Sequence, residues 1–169
     1  MKAIYSVFFY ISLAIALCSP NVSTLCGNNE QVEDLKTALV IHESAYTVMA
    51  ALGAIPITSA PLIVIEVISA GHFAMRLIET FEEMENSLNK DHILYGNCSS
   101  ILKKTVKATT GIKSAGVGFS LMALIPGFGM ALAPPRIASS LYEMLIINEN
   151  LDLWKKNDCQ YATTRDCKL

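Results

Sequence analysis

The chain has 169 residues, with 13 Lys or Arg against 15 Asp or Glu and a formal net charge of −2. Such a balance supplies no basic face, so the composition points away from a nucleic-acid partner. Hydrophobic residues make up 52% of the chain and mean hydropathy is +0.40, an excess that the first residues explain only in part.

Residues 1–18, MKAIYSVFFYISLAIALC, place one lysine before a charge-free apolar run of signal-peptide length. Ala16 and Cys18 supply small residues at the spacing a signal peptidase reads, so cleavage is expected after Cys18, with a cut after Thr24 as the competing position. An uncleaved anchor is the alternative, against which the run is short for a span. The protein is therefore read as secreted and extracellular.

Residues 19–169 form one domain of a size that buries a real core. It keeps four cysteines, Cys26, Cys98, Cys159 and Cys167. An even count in a secreted chain reads as two disulfides with three connectivities open. No CxxC or histidine cluster accompanies them, so they do not read as a zinc site. Sequons begin at Asn21 and Asn97; Asn97 is the better glycosylation candidate, because Asn21 lies close to the new terminus or leaves with the signal.

The first helix opens near Asn29 with Glu30, Glu33 and Asp34 in its early turns, where they favour the helix dipole. Val32, Leu35, Leu39, His42, Tyr46 and Met49 recur at helical spacing. Ala38, Ile41, Ala45, Val48 and Leu52 form an adjacent stripe, so a broad buried face is expected. Pro56 ends this helix at about Gly53. A second starts at Thr58 or Ser59 with Pro61 in its first turn and runs to about Leu88. NKDHILYGNCSS reads as a loop, and a serine cap opens a third helix near Ile101 that reaches Ile125. A fourth starts around Pro134–Pro135 and ends near Lys156, leaving an irregular Cys-containing tail, 158–169.

The expected fold is all-α: a four-helix up-down-up-down bundle of two similar hairpins, about 29–90 and 98–157, stapled by disulfides at one end. At an offset of 70, Ile55-Pro56 falls on Ile125-Pro126, Ser69 on Ser139 and Glu79 on Glu149. Duplication and convergence of two amphipathic hairpins both account for this. Each half holds a charge-free window of 22 residues, between Glu43 and Glu66 and between Lys113 and Arg136, bounded at matching places by opposite charges: Glu43 against Lys113 and Glu66 against Arg136. If the halves pack around an approximate two-fold axis, these residues meet; the alternative is four independently solvated charges. The topology gathers the cysteines and Asn97 at one pole, with the acidic end of helix two beside Lys103, Lys104 and Lys107. The turns AIPITSAP and LIPGFGMALAPP lie at the other.

Catalytic constellations are sparse. HESAY at His42 begins like HExxH, but Tyr46 stands where the second histidine is needed, and His42 reads as a core histidine. Glu82, Glu83 and Glu85 read as a solvated helix end rather than metal ligands, and GIKSAGVGFS lacks the features of a phosphate loop. No enzyme, cofactor or metal is expected. The windows around Pro56 and Pro126 resemble the apolar helical hairpins of apolipoprotein-L-like and colicin-type pore-forming proteins; the likeness covers those windows alone and carries no residue over.

Two functional readings follow. In the first, a toxin-, lytic- or effector-like protein touches lipid through its apolar tips, Ile55, Ile57, Leu124, Ile125, Phe128, Met130 and Leu132, with a homo-oligomer as one form it takes on membranes. In the second, the bundle carries an apolar small ligand, with Met49, Met75, Met122, Met130 and Met144 as adaptable lining. A non-enzymatic interaction protein is a variant of the second. An integral membrane protein with re-entrant hairpins is the least attractive, given the short arms.

Overall fold

A computed structural model describes residues 29–52, 59–125 and 127–164. The apolar leader, Asn21, Cys26, Ile55, Ile57 and Cys167 lie outside the described residues. Four helices follow one another: α1 (Asn29–Leu52), α2 (Ser59–Asn86), α3 (Tyr95–Met122) and α4 (Gly129–Lys156). A short 3-10 helix, Cys159–Ala162, follows α4. Each helix packs on its chain neighbour and α1 also packs on α4, which closes the four into an antiparallel bundle.

The lower half has an ordinary apolar core. Val32, Leu35, Leu39, Leu77, Phe81, Met84, Leu102, Ile147, Leu151 and Trp154 interlock there, each such side chain contributing roughly 1.5–3 kcal/mol on burial. Cys98 and Cys159 bridge this core with a disulfide, resolving one of the two pairings left open by the count of cysteines. Leu88 and Thr163 form an isolated antiparallel bridge, and Asn89 donates its amide to the Ala162 carbonyl, so the tail as far as Thr164 is tied to the α2–α3 loop.

Three expectations need correction. α3 begins at Tyr95, six residues before Ile101, so Asn97 and Cys98 lie on the helix rather than in a loop. The Tyr95 amide donates to the His92 carbonyl and the Cys98 amide to that of Leu94; Leu94 caps the helix with no side-chain bond. α4 begins at Gly129, and Pro134 and Pro135 sit inside it. Their missing amides open the ladder opposite Met130 and Ala131 without ending the helix. Lastly, α1 does not bury a broad face. The stripe from Val32 to Met49 is buried as expected, whereas Ile41 and Val48 are more than half exposed.

Candidate functional site

The reason for that last difference lies in the upper half of the bundle, where the interior is ionic. Glu43, Glu66, Lys113, Arg136 and Glu143 are all buried, none more than 7% exposed. Lys113 Nζ donates to Glu43 Oε1 at 2.5 Å and lies 2.8 Å from Glu143 Oε2. The same ammonium stands 5.2 Å from the centre of the Tyr46 ring. Ser140 donates to Glu43 Oε2 at 2.5 Å. His42 Nδ1 is 3.0 Å from Glu43 Oε1, and its ring stacks on Phe73 with centroids 3.6 Å apart.

One turn nearer the tips, Arg136 forks onto Glu66. Its Nε donates to Oε1 at 3.0 Å and its Nη2 to Oε2, the bidentate geometry that makes such pairs strong. Ser120 donates to the same Oε1 at 2.7 Å, and the Tyr46 hydroxyl lies 3.2 Å from Ser120 Oγ. Both pairings expected from the 70-residue offset are therefore made: Glu43 with Lys113, and Glu66 with Arg136.

The electrostatics follow from this packing. Burial favours a neutral Glu43, but the hydrogen bond with His42 and the charge of Lys113 outweigh it and hold the carboxyl down to about 2. Burial pushes Glu143 up to about 7, with the Glu43 charge adding to the rise and Lys113 only partly opposing it. Burial alone would lower Lys113, yet its two carboxylates raise it, so it stays charged. His42 moves the other way: burial lowers it below its ordinary value against the pull of Glu43. Neutral His42 then donates from Nδ1 to Glu43 and accepts at Nε2, 3.4 Å from Ser69 Oγ. The core histidine is thus an orienting partner of a buried carboxylate. Among the described residues, no group of three or more His, Cys, Asp or Glu side chains is set to hold a metal ion.

Moving the charges inward changes the surface. Across 37–52, 59–75, 108–125 and 127–148, the five buried ionic groups are the only Asp, Glu, Lys or Arg. No charged side chain is left outside over these stretches. In their place stand Val40, Ile41, Val48, Val64, Ile68, Met75, Leu121, Leu141, Tyr142 and Leu145, all exposed. At the end of the bundle, Leu124, Ile125, Phe128 and Met130 are exposed, Met130 by 69%, and Leu132 is half-buried. Gly127 turns the chain there with φ +91°, a left-handed conformation that suits glycine. Below this region charge returns to the surface. Lys103 pairs with Glu85 at 3.0 Å, Lys36 with Asp152 and Lys155 with Glu33. Glu82 and Glu83 are solvated, and Asn97 is exposed on the first turn of α3.

Of the residues expected at the tips, the structure brings together Leu124, Ile125, Phe128, Met130 and, less openly, Leu132. The sequence reading missed the sides of the bundle, where exposed Ile and Leu extend well below the turns. The missed signal was Glu43 within the buried α1 stripe's reach, which marks a polar interior. The methionines do not line a common interior: Met49 is buried, while Met75, Met122 and Met130 face outward. No helix among the described residues is long and apolar enough to cross a membrane. Comparison with protein-family models, curated proteins and solved structures gives no match.

Proposed function

We propose that the protein is secreted and acts by contact with membranes, entering lipid from one side with the apolar half of the bundle. The observation that carries this reading is the inversion of the upper half, with paired charges inside and an apolar surface outside. In water an apolar skin of this extent marks a contact site, and in hydrocarbon it is the natural exterior. The stretch of α1 that carries no charge on its surface, 37–52, with its one charge, Glu43, buried, is roughly 24 Å of helix at 1.5 Å per residue, somewhat less than a ~30 Å hydrocarbon core. The charged base, with the disulfide and the exposed Asn97 as glycan acceptor, then stays in water. No catalytic step is required of it.

The test is co-sedimentation of the oxidised protein with phosphatidylcholine vesicles, and release of a dye trapped inside them. Wild type is expected to sediment. Phe128→Asp at the half-exposed tip should weaken binding by about a hundredfold, the cost of a carboxylate in hydrocarbon being about 3 kcal/mol, with an unchanged helical spectrum. A wild type that stays in solution, yet saturably takes up a fluorescent fatty acid, would replace this reading with the carrier.

A further inference from the structure

We infer that the outer groove between α3 and α4 binds an anionic phospholipid, its head group on Lys104 and Lys107 and an acyl chain along Gly111 and Ala115. The inference rests on the membrane-contact reading and names the lipid class that this contact selects. The groove has a volume of about 570 Å³ and opens outward, within the size range of small-ligand sites. Its α4 wall is Tyr142 and Ile146. A Cβ placed on Gly111 meets nothing within 4 Å, so the floor of the groove is open at its middle.

Polarity runs along the groove in the direction a phospholipid needs. Lys104 and Lys107 lie at the end nearest the charged base, and every lining residue beyond them toward the tips is uncharged. From Lys104 to Ala115 the helix rises roughly 16 Å, close to the depth of one leaflet of a ~30 Å core. A head group at the lysines therefore sits at the water boundary while its chain points into the bilayer. That is the orientation the apolar half itself requires.

Charge complementarity decides for an anionic head group. Lys36, Lys103, Lys113 and Lys155 are each held by a carboxylate. Among the described residues, Lys104 and Lys107 make no ion pair, and both are exposed. A second hollow of about 330 Å³ continues from the same two lysines past Ser100 and Lys103, and gives a head group lateral room. Long-range attraction is no substitute for this site, because the whole chain carries −2 and an anionic bilayer repels it on balance.

The experiment compares sedimentation with vesicles of phosphatidylcholine alone and of phosphatidylcholine containing phosphatidylglycerol, at physiological salt. Wild type is expected to favour the anionic vesicles by about 30-fold, the yield of two interfacial lysines. Lys104→Gln/Lys107→Gln should lose the preference, binding neutral vesicles at the wild-type level and anionic vesicles no better than neutral ones. Gly111→Leu fills the floor, keeps both lysines and strengthens the helix; it should lose at least tenfold of the preference. Equal wild-type binding to both compositions, or full preference in either variant, overturns the site and leaves the membrane-contact reading standing. Failure of wild type to sediment with either composition overturns both.

Discussion

Replacing Arg136 by methionine removes a charge from a place where nothing else can answer Glu66. Both side chains are fully buried, and the Glu66 carboxylate would retain only neutral hydroxyls, those of Ser120 and Tyr46, as donors. Breaking a buried pair from one side costs about 3–5 kcal/mol, because the remaining ion is left without compensation. Glu66→Leu should cost a similar amount from the other side. Against a total stability of about 5–15 kcal/mol, either variant still folds. With a urea dependence of roughly 2 kcal/mol per molar, its midpoint falls by about 2 M. The double variant Glu66→Leu/Arg136→Met joins two apolar groups of similar bulk and is expected within about 1 kcal/mol of wild type. The coupling energy is then several kcal/mol, read from urea unfolding followed by circular dichroism. Single costs that add to within about 0.5 kcal/mol would refute the pair as a unit.

The Lys113 cluster predicts a pH dependence whose sign is set by Glu143. Its folded value of about 7 exceeds the ordinary carboxyl value, so between about 4.5 and 7 the folded state holds a proton that the unfolded state lacks. Stability from this group is present at acid pH and lost as pH rises through that window. Glu43, held near 2, contributes with the opposite sign, and its share is lost as pH falls from about 4.5 to 2. His42, lowered by burial, also costs stability as pH falls below about 6.5. Glu143→Gln should therefore unfold with a steeper loss toward acid than wild type between pH 7 and 5, since its opposing contribution is gone; identical pH profiles would exclude the assignment. Removing the Cys98–Cys159 bridge by double alanine substitution should cost about 4 kcal/mol, the loop-closure entropy for a separation of 61 residues, in denaturant midpoints. Gly127→Val should cost about 1–2 kcal/mol through its positive φ, measured the same way.

The parts of the fold legible in the sequence are those where periodicity and polarity agree. Val32, Leu35 and Leu39 are apolar, periodic and buried, and the 70-residue offset correctly joined Glu43 to Lys113 and Glu66 to Arg136. Where polarity and burial part company, the pattern misled. Ile41 and Val48 look like core by hydropathy, but Glu43 takes an interior place between them, and a helix cannot turn both its charge and every apolar neighbour inward. The start of α3 was hidden for another reason. Leu94 caps it without a side-chain bond, so the visible Ser99-Ser100 pair suggested a later start. The candidate groove was least legible: Lys103, Lys104 and Lys107 look equivalent along the chain, and only the packing of α2 shows that Glu85 takes Lys103 alone.

The ionic interior and the apolar exterior are best understood as one arrangement. For a monomer in water each feature is a burden. A buried ion pair is often no more stable than an apolar pair of equal volume, and exposed Ile68, Met130 and Leu145 forgo burial worth roughly 1.5–3 kcal/mol apiece. Exchanging the two sets would relieve both in water, with apolar groups inside and charges outside. The same exchange would expose Glu43, Glu66, Lys113, Arg136 and Glu143 to hydrocarbon in a bilayer, where each central charge costs about 3 kcal/mol even by insertion scales. Pairing Glu43 and Glu143 with Lys113, and Glu66 with Arg136, inside the bundle lowers that cost before any membrane is met, though Arg136 Nη1 is left without a hydrogen bond. If the apolar half enters lipid as proposed, its charges are thus already paired within the bundle, and Lys104 and Lys107 lie at the boundary where an anionic head group would reach them.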